Sequence, residues 1–111
     1  MPRLRQNFEP VEPTTARWFY LDFGPDLAVG ETIVRAAVNL TTARGSDPNA
    51  ANLITSVPPA DIVGTLVGAF IGPNWVGGVA YSFEATGFTS AGNVLSNNAR
   101  IYCQGPAPID R

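Results

Sequence analysis

The sequence has no histidine, no lysine and only one cysteine in 111 residues. Without histidine there is no Ser-His or Cys-His dyad and no imidazole to hold a metal, so the commonest nucleophilic and zinc chemistries are excluded. A lone Cys103 cannot close an internal disulfide, which fits a reducing compartment. Its place in an alternating run makes it a small buried hydrophobe rather than a reactive thiol. All seven basic residues are arginine, against nine acidic ones, for a net charge of −2 and a pI near 4.8. That balance leaves no electrostatic footprint for nucleic acid. No apolar run approaches the roughly 20 residues that cross a bilayer. No apolar core follows the N-terminal arginines, so neither membrane insertion nor a signal peptide is expected. Charged residues are only 14% beside 45% hydrophobic ones, a ratio that predicts a surface partly covered by partners in the working state.

Glycine and proline are plentiful, at 11 and 10 residues. Their excess suits short strands joined by turns and argues against long helices. The most regular stretch is 67–100, where Val79, Tyr81, Phe83 and Ala85 alternate with Ala80, Ser82, Glu84 and Thr86. Period two is the mark of a strand with one buried face. Gly77-Gly78 before it and Thr89-Ser90-Ala91-Gly92-Asn93 after it supply a turn and a hairpin. Residues 17–23 form the first strand, with Phe19, Leu21 and Phe23 on one face and Trp18, Tyr20 and Asp22 on the other. In the second strand, residues 31–41, Val34, Ala36, Val38 and Leu40 share a face. Ile33 falls out of phase with them, which predicts a bulge. Asp47-Pro48-Asn49 is turn-prone, residues 49–53 suit one helical turn, and residues 62–71 carry one or two strands broken by Gly64 and Gly68. In residues 99–103, Ala99, Ile101 and Cys103 face inward.

Six or seven short strands result, and they predict an all-β fold: a small antiparallel immunoglobulin-like sandwich over residues 16–104, with a distorted barrel as the structural alternative. Residues 1–15 hold three prolines and scattered apolar side chains. They read as an extended arm, either a disordered tail or a segment that docks on a neighbour through Leu4, Phe8 and Val11, with Arg3 and Arg5 beside them. Residues 105–111 read as a short tail. The exposed Trp18–Tyr20 face is expected to be covered by the arm or by a partner. Trp75, in a loop between Pro73 and Gly77, either caps the sandwich or anchors an interface. Asp22 and Asp26 flank a Gly-Pro turn and read as turn acceptors rather than as a catalytic or calcium pair. Gly72, Gly77 and Gly78 are followed by no lysine and no helix, so they form no phosphate cradle. No enzyme, cofactor or metal is expected.

In order along the chain stand Asp22-Phe23, Asp26-Leu27 and Gly30-Glu31-Thr32-Ile33, then Gly72 with Gly77-Gly78, Tyr81-Ser82-Phe83, Thr89-Ser90-Ala91-Gly92 and a last strand at 99–103. This series resembles the small fiber-tail adaptor proteins of tailed bacteriophages over residues 19–103, apart from 40–66. The family's usual Gly-Gly-Thr-Ala-Gly turn is replaced here by Gly72-Pro73-Asn74-Trp75-Val76-Gly77-Gly78. The resemblance implies a structural virion protein, assembled in the bacterial host cytoplasm and placed at the neck or tail. There it would link the tail or adaptor ring to the fibers, as a ring of six or twelve copies by analogy. Partner contacts are expected through Arg3, Leu4, Arg5, Phe8, Val11, Trp18, Tyr20 and Trp75. A capsid decoration protein of the same fold is the alternative. A carbohydrate-binding module stacking sugars on Trp18, Tyr20, Trp75 and Tyr102 is a third reading.

Overall fold

The computed structural model describes residues 6–105. Seven strands lie in two facing sheets: β1 (Gln6–Asn7), β2 (Arg17–Asp22), β3 (Ile33–Arg44), β4 (Asp61–Val63), β5 (Leu66–Ile71), β6 (Ala80–Thr89) and β7 (Val94–Tyr102). One sheet has the order β1-β7-β6-β3 and the other β2-β5-β4. Neighbours are antiparallel except for the short parallel pair β1–β7. The trio β3-β6-β7 matches the C-F-G sheet of an immunoglobulin domain, and β2-β5-β4 matches strands B, E and D of the facing sheet. The fold is the expected small β-sandwich.

Alternation decides which side chains meet between the sheets. Phe19 and Leu21 of β2, with Phe23 just beyond it, are buried against Leu40, Tyr81, Phe83, Ala85 and Ile101 of the other sheet and Val67, Ala69 and Ile71 of their own. Each large apolar side chain taken out of water in this way contributes about 2 kcal/mol. Cys103 lies fully buried among them, where burial pushes its thiol pKa up. The bulge expected at the start of the second strand falls between Ile33 and Arg35. It keeps Ile33 inside and turns Val34 outward to 62% exposure. Val34 therefore does not share the inner face with Leu40, because the extra residue resets the period.

The turns follow their chemistry. The Asp22 carboxylate accepts from the Gly24 N–H and the Thr65 hydroxyl, each at 2.8 Å. It thereby ends β2 at the 3-10 turn Gly24–Asp26. The Asp47 carboxylate accepts from the Asn49 N–H at 3.0 Å, and a 3-10 turn at Ala50–Leu53 drops Ala50 and Leu53 into the core. Between β6 and β7 the hairpin closes through Thr89 N–H to the Asn93 carbonyl at 2.9 Å and Gly92 N–H to the Thr89 carbonyl at 3.0 Å.

Residues 6–15 are part of the domain rather than an arm held away from it. Gln6 and Asn7 pair with Ala99 and Arg100 of β7, and Val11 bridges Cys103. The Val11 N–H donates to the Tyr102 carbonyl at 2.9 Å, and the Gln104 N–H donates back to Val11 at 2.9 Å. Val11 is 2% exposed, and the Phe8 ring stands edge-on to Phe19 at 5.0 Å. The apolar residues that pointed to docking on a neighbour dock on the chain's own sandwich, since the free edge of β7 offers the nearest unpaired backbone. Arg3, Leu4 and Arg5 lie outside the described residues.

Candidate interaction surface

Strand β2 places Trp18 and Tyr20 on the outer face of its sheet because Phe19 and Leu21 are taken inward. The register sets Trp18 opposite Phe70 of β5, and Tyr20 opposite Gly68, which in turn pairs with Asp61 of β4. The Trp18 and Tyr20 rings stack with centroids 5.8 Å apart, and Phe70 meets Trp18 edge-on at 5.5 Å. The Tyr20 hydroxyl reaches across Gly68 to donate to the Asp61 carboxylate at 2.8 Å. That hydrogen bond, ahead of burial, raises the Tyr20 pKa. Gly68 is needed for this crossing: a Cβ there would stand 2.2 Å from the Phe19 carbonyl oxygen and 2.4 Å from the Tyr20 ring.

The result is a platform of three aromatic rings braced by a carboxylate. Trp18 is 46% exposed and the neighbouring Val63 52%. Rigid aromatic area at a half-exposed site, with a polar handle on one ring, is what partner surfaces are enriched in. The described part of the N-terminal segment does not cover this face, because it is paired with β7 in the other sheet.

Of the described residues expected to meet partners, the structure brings Trp18 and Tyr20 together and places Phe8, Val11 and Trp75 elsewhere. Phe8 and Val11 are engaged within the domain, as described above. Trp75 is not an available anchor: it is 3% exposed and packs edge-on to Phe19 and Tyr81 at 5.8 and 5.1 Å. Its indole Nε1–H donates to the Thr15 carbonyl at 2.8 Å. The close approach that makes this cap leaves no room at Gly72, where φ is +109° and a Cβ would lie 2.1 Å from the Thr15 carbonyl oxygen. Trp75 therefore closes one end of the core, and the stacking set proposed for sugars loses a member. Tyr102, 46% exposed, lies in the other sheet, so it cannot join Trp18 and Tyr20 on one surface. Phe70 and Val63 were missed: their strand was legible, but not the pairing that brings Phe70 beside Trp18.

Next to the capped end, Tyr81 makes the corner found at the start of strand F in immunoglobulin domains. Its hydroxyl accepts from the Val76 N–H at 2.9 Å and donates to the Asp47 carboxylate at 2.6 Å. Burial first, and that carboxylate second, push its pKa well above the usual value of 10. A hollow of about 420 Å³ on the other sheet is lined by Phe8, Arg44, Gly78, Ala80, Arg100 and Tyr102. Among the described residues no group of three or more His, Cys, Asp or Glu side chains converges as a metal site would require. No helix among the described residues is long and apolar enough to cross a membrane. No family model, curated protein or solved structure matches the chain.

Proposed function

We propose that this chain is a non-enzymatic assembly module of a tailed bacteriophage particle, an adaptor at the neck or tail that joins the tail or adaptor ring to the fibers. The observation that carries the assembly role is the aromatic platform of Trp18, Tyr20 and Phe70, with Trp18 half exposed and the other two rings partly buried, on an otherwise well-packed sandwich. A face of this kind is stabilised by a protein partner that buries it. The phage setting rests on the resemblance of the turn and core motifs between residues 19 and 103. Repeated copies around a ring would each present the platform to a neighbour or to a fiber, and cyclic symmetry would fix the copy number.

Gold-labelled antibody on particles purified from the source of the gene tests the placement. Label confined to the neck or tail is the expected result. Label spread over the shell would replace the adaptor with a decoration protein. Unlabelled particles, with the protein present and its epitope accessible, would overturn both.

A further inference from the structure

Strand β3 is twelve residues long and is the outermost strand of its sheet. Among the described residues its one partner strand is β6. Among the described residues, no backbone bond outside that ladder reaches residues 34–43. In an antiparallel strand, alternate residues turn their N–H and C=O away from the partner, so about four residues over 36–43 present an unpaired donor and acceptor along about 27 Å of edge. Natural edges are blunted by proline, lysine, inward charge or brevity. Of the other sheet's two outer strands, β4 is three residues long and follows Pro58-Pro59. Strand β2 is six residues, half the length of β3, with a charged residue at each end. In the same sheet as β3, β7 carries β1 and the Val11 bridge on its side. Residues 36–43 carry no proline, lysine or inward charge, and the strand's second register shift, between Thr42 and Arg44, falls only at their end: they read Ala-Ala-Val-Asn-Leu-Thr-Thr-Ala.

We infer that the edge of β3 is a strand-acceptor site for an extended segment of another virion protein, with small uncharged side chains in its middle and carboxylates at its ends. The inference deepens the assembly reading and rests on it. Room for the side chains of an added strand exists beside β3, in a hollow of about 360 Å³ lined by Ala36, Ala37, Val38, Pro58, Pro59 and Ala60. Every lining residue is small or apolar, which excludes charge from the centre of the guest. The ends are different. Arg35 and Arg44 bracket the uncharged run, and neither makes an ion pair among the described residues; Arg35 only overlies the Phe88 ring at 3.9 Å. Carboxylates at the two ends of a guest strand would meet both guanidiniums. A second copy is the poorer occupant, because two β3 strands paired antiparallel about residue 39, with the register shift between Thr42 and Arg44 counted, bring Arg35 beside the copy's Arg44 at both ends, and like charges placed side by side repel.

The test uses the purified full chain and two synthetic peptides, a Thr-Val repeat bracketed by glutamates and the same repeat bracketed by lysines. Hydrogen exchange should slow at alternate amides within 36–43 on adding the glutamate peptide. Two exposed ion pairs should make it bind about tenfold more tightly than the lysine peptide at low salt. Arg35→Glu combined with Arg44→Glu should invert that preference. Ala36→Pro and Ala37→Pro remove amides that point opposite ways, so one breaks the β6 ladder and the other removes an edge donor alone. The variant that keeps wild-type unfolding should bind the glutamate peptide at least about tenfold more weakly. No protection at millimolar peptide, equal binding of the two peptides, or full affinity in both proline variants would each overturn the inference. So would protection that grows with protein concentration without peptide, which would assign the edge to self-pairing. Because these readouts need no particle, their failure leaves the labelling experiment standing as a separate judgement of the adaptor role.

Discussion

Replacing Tyr81 with Phe removes one oxygen from a fully buried side chain and leaves the ring in place. Two partners lose it: the Asp47 carboxylate, 9% exposed, and the Val76 N–H. A hydrogen bond to a charged group contributes about 2 kcal/mol, and stranding the amide costs about 1 kcal/mol more. The expected loss at pH 7 is therefore about 3 kcal/mol, or roughly 15 °C in Tm for a domain of this size. The deficit should also depend on pH in a defined direction. The folded phenol's pKa is held above the ordinary 10, so its stabilisation is complete below pH 10 and is lost as pH rises toward the folded value. Above pH 10 the unfolded wild-type chain gains about 1.4 kcal/mol per pH unit from ionising this tyrosine, which the Phe variant cannot do. The gap between the two proteins should shrink to about 1.5 kcal/mol at pH 11. Urea unfolding followed by tryptophan fluorescence at both pH values measures it. A deficit below about 1 kcal/mol at pH 7, or one that is the same at both pH values, would refute this account of the corner.

Gly68→Ala should destabilise the fold by about 3 kcal/mol in thermal unfolding, because the new methyl meets the Phe19 backbone oxygen, which cannot move aside. Asn97 is 6% exposed and its side-chain nitrogen has no hydrogen-bond partner among the described residues. Asn97→Leu should therefore raise stability by about 1 kcal/mol in urea titration. Glu31 accepts from the Ala28 N–H first, then from Thr89 and Asn93, and these bonds hold its pKa below the usual 4.5. Its contribution is present above that value and lost as pH falls through the folded one, so Glu31→Gln should flatten the loss of Tm between neutral pH and the acid range. Cys103, buried with a raised pKa, should react with a disulfide reagent only at the rate of unfolding.

What was legible in the sequence were the quantities a strand carries locally. Phe19, Leu21 and Phe23, or Tyr81, Phe83 and Ala85, declare their buried face by alternation alone, and the slip at Ile33 announced its own bulge. The hairpin at 89–93 and the turns at Asp22 and Asp47 were equally readable, because their polar side chains bond a few residues away. What depends on contacts far apart in sequence was not legible. Trp75 reads equally as a cap or as an anchor until Pro13 and Thr15 arrive to hold its backbone and indole and make it the cap. Phe8 and Val11 look like sticky residues of a free arm because the chain edge that receives them lies about ninety residues later, as the Phe8 N–H bond to the Arg100 carbonyl and the Val11–Cys103 bridge show. The candidate surface was half visible for the same reason: Trp18 and Tyr20 share a strand, whereas Phe70 and Asp61 join them only through the β2-β5-β4 register.

The most direct measurement of the central claim is incorporation of a face variant into particles. Trp18→Ser combined with Phe70→Thr replaces two of the three rings with polar residues on an outer face, so the purified domain should keep its cooperative unfolding. Particles assembled with this variant should carry little or none of the protein, while wild-type chain supplied in its place restores it. A folded variant that enters particles at the wild-type level would show that the aromatic platform is not the surface that joins this domain to its assembly.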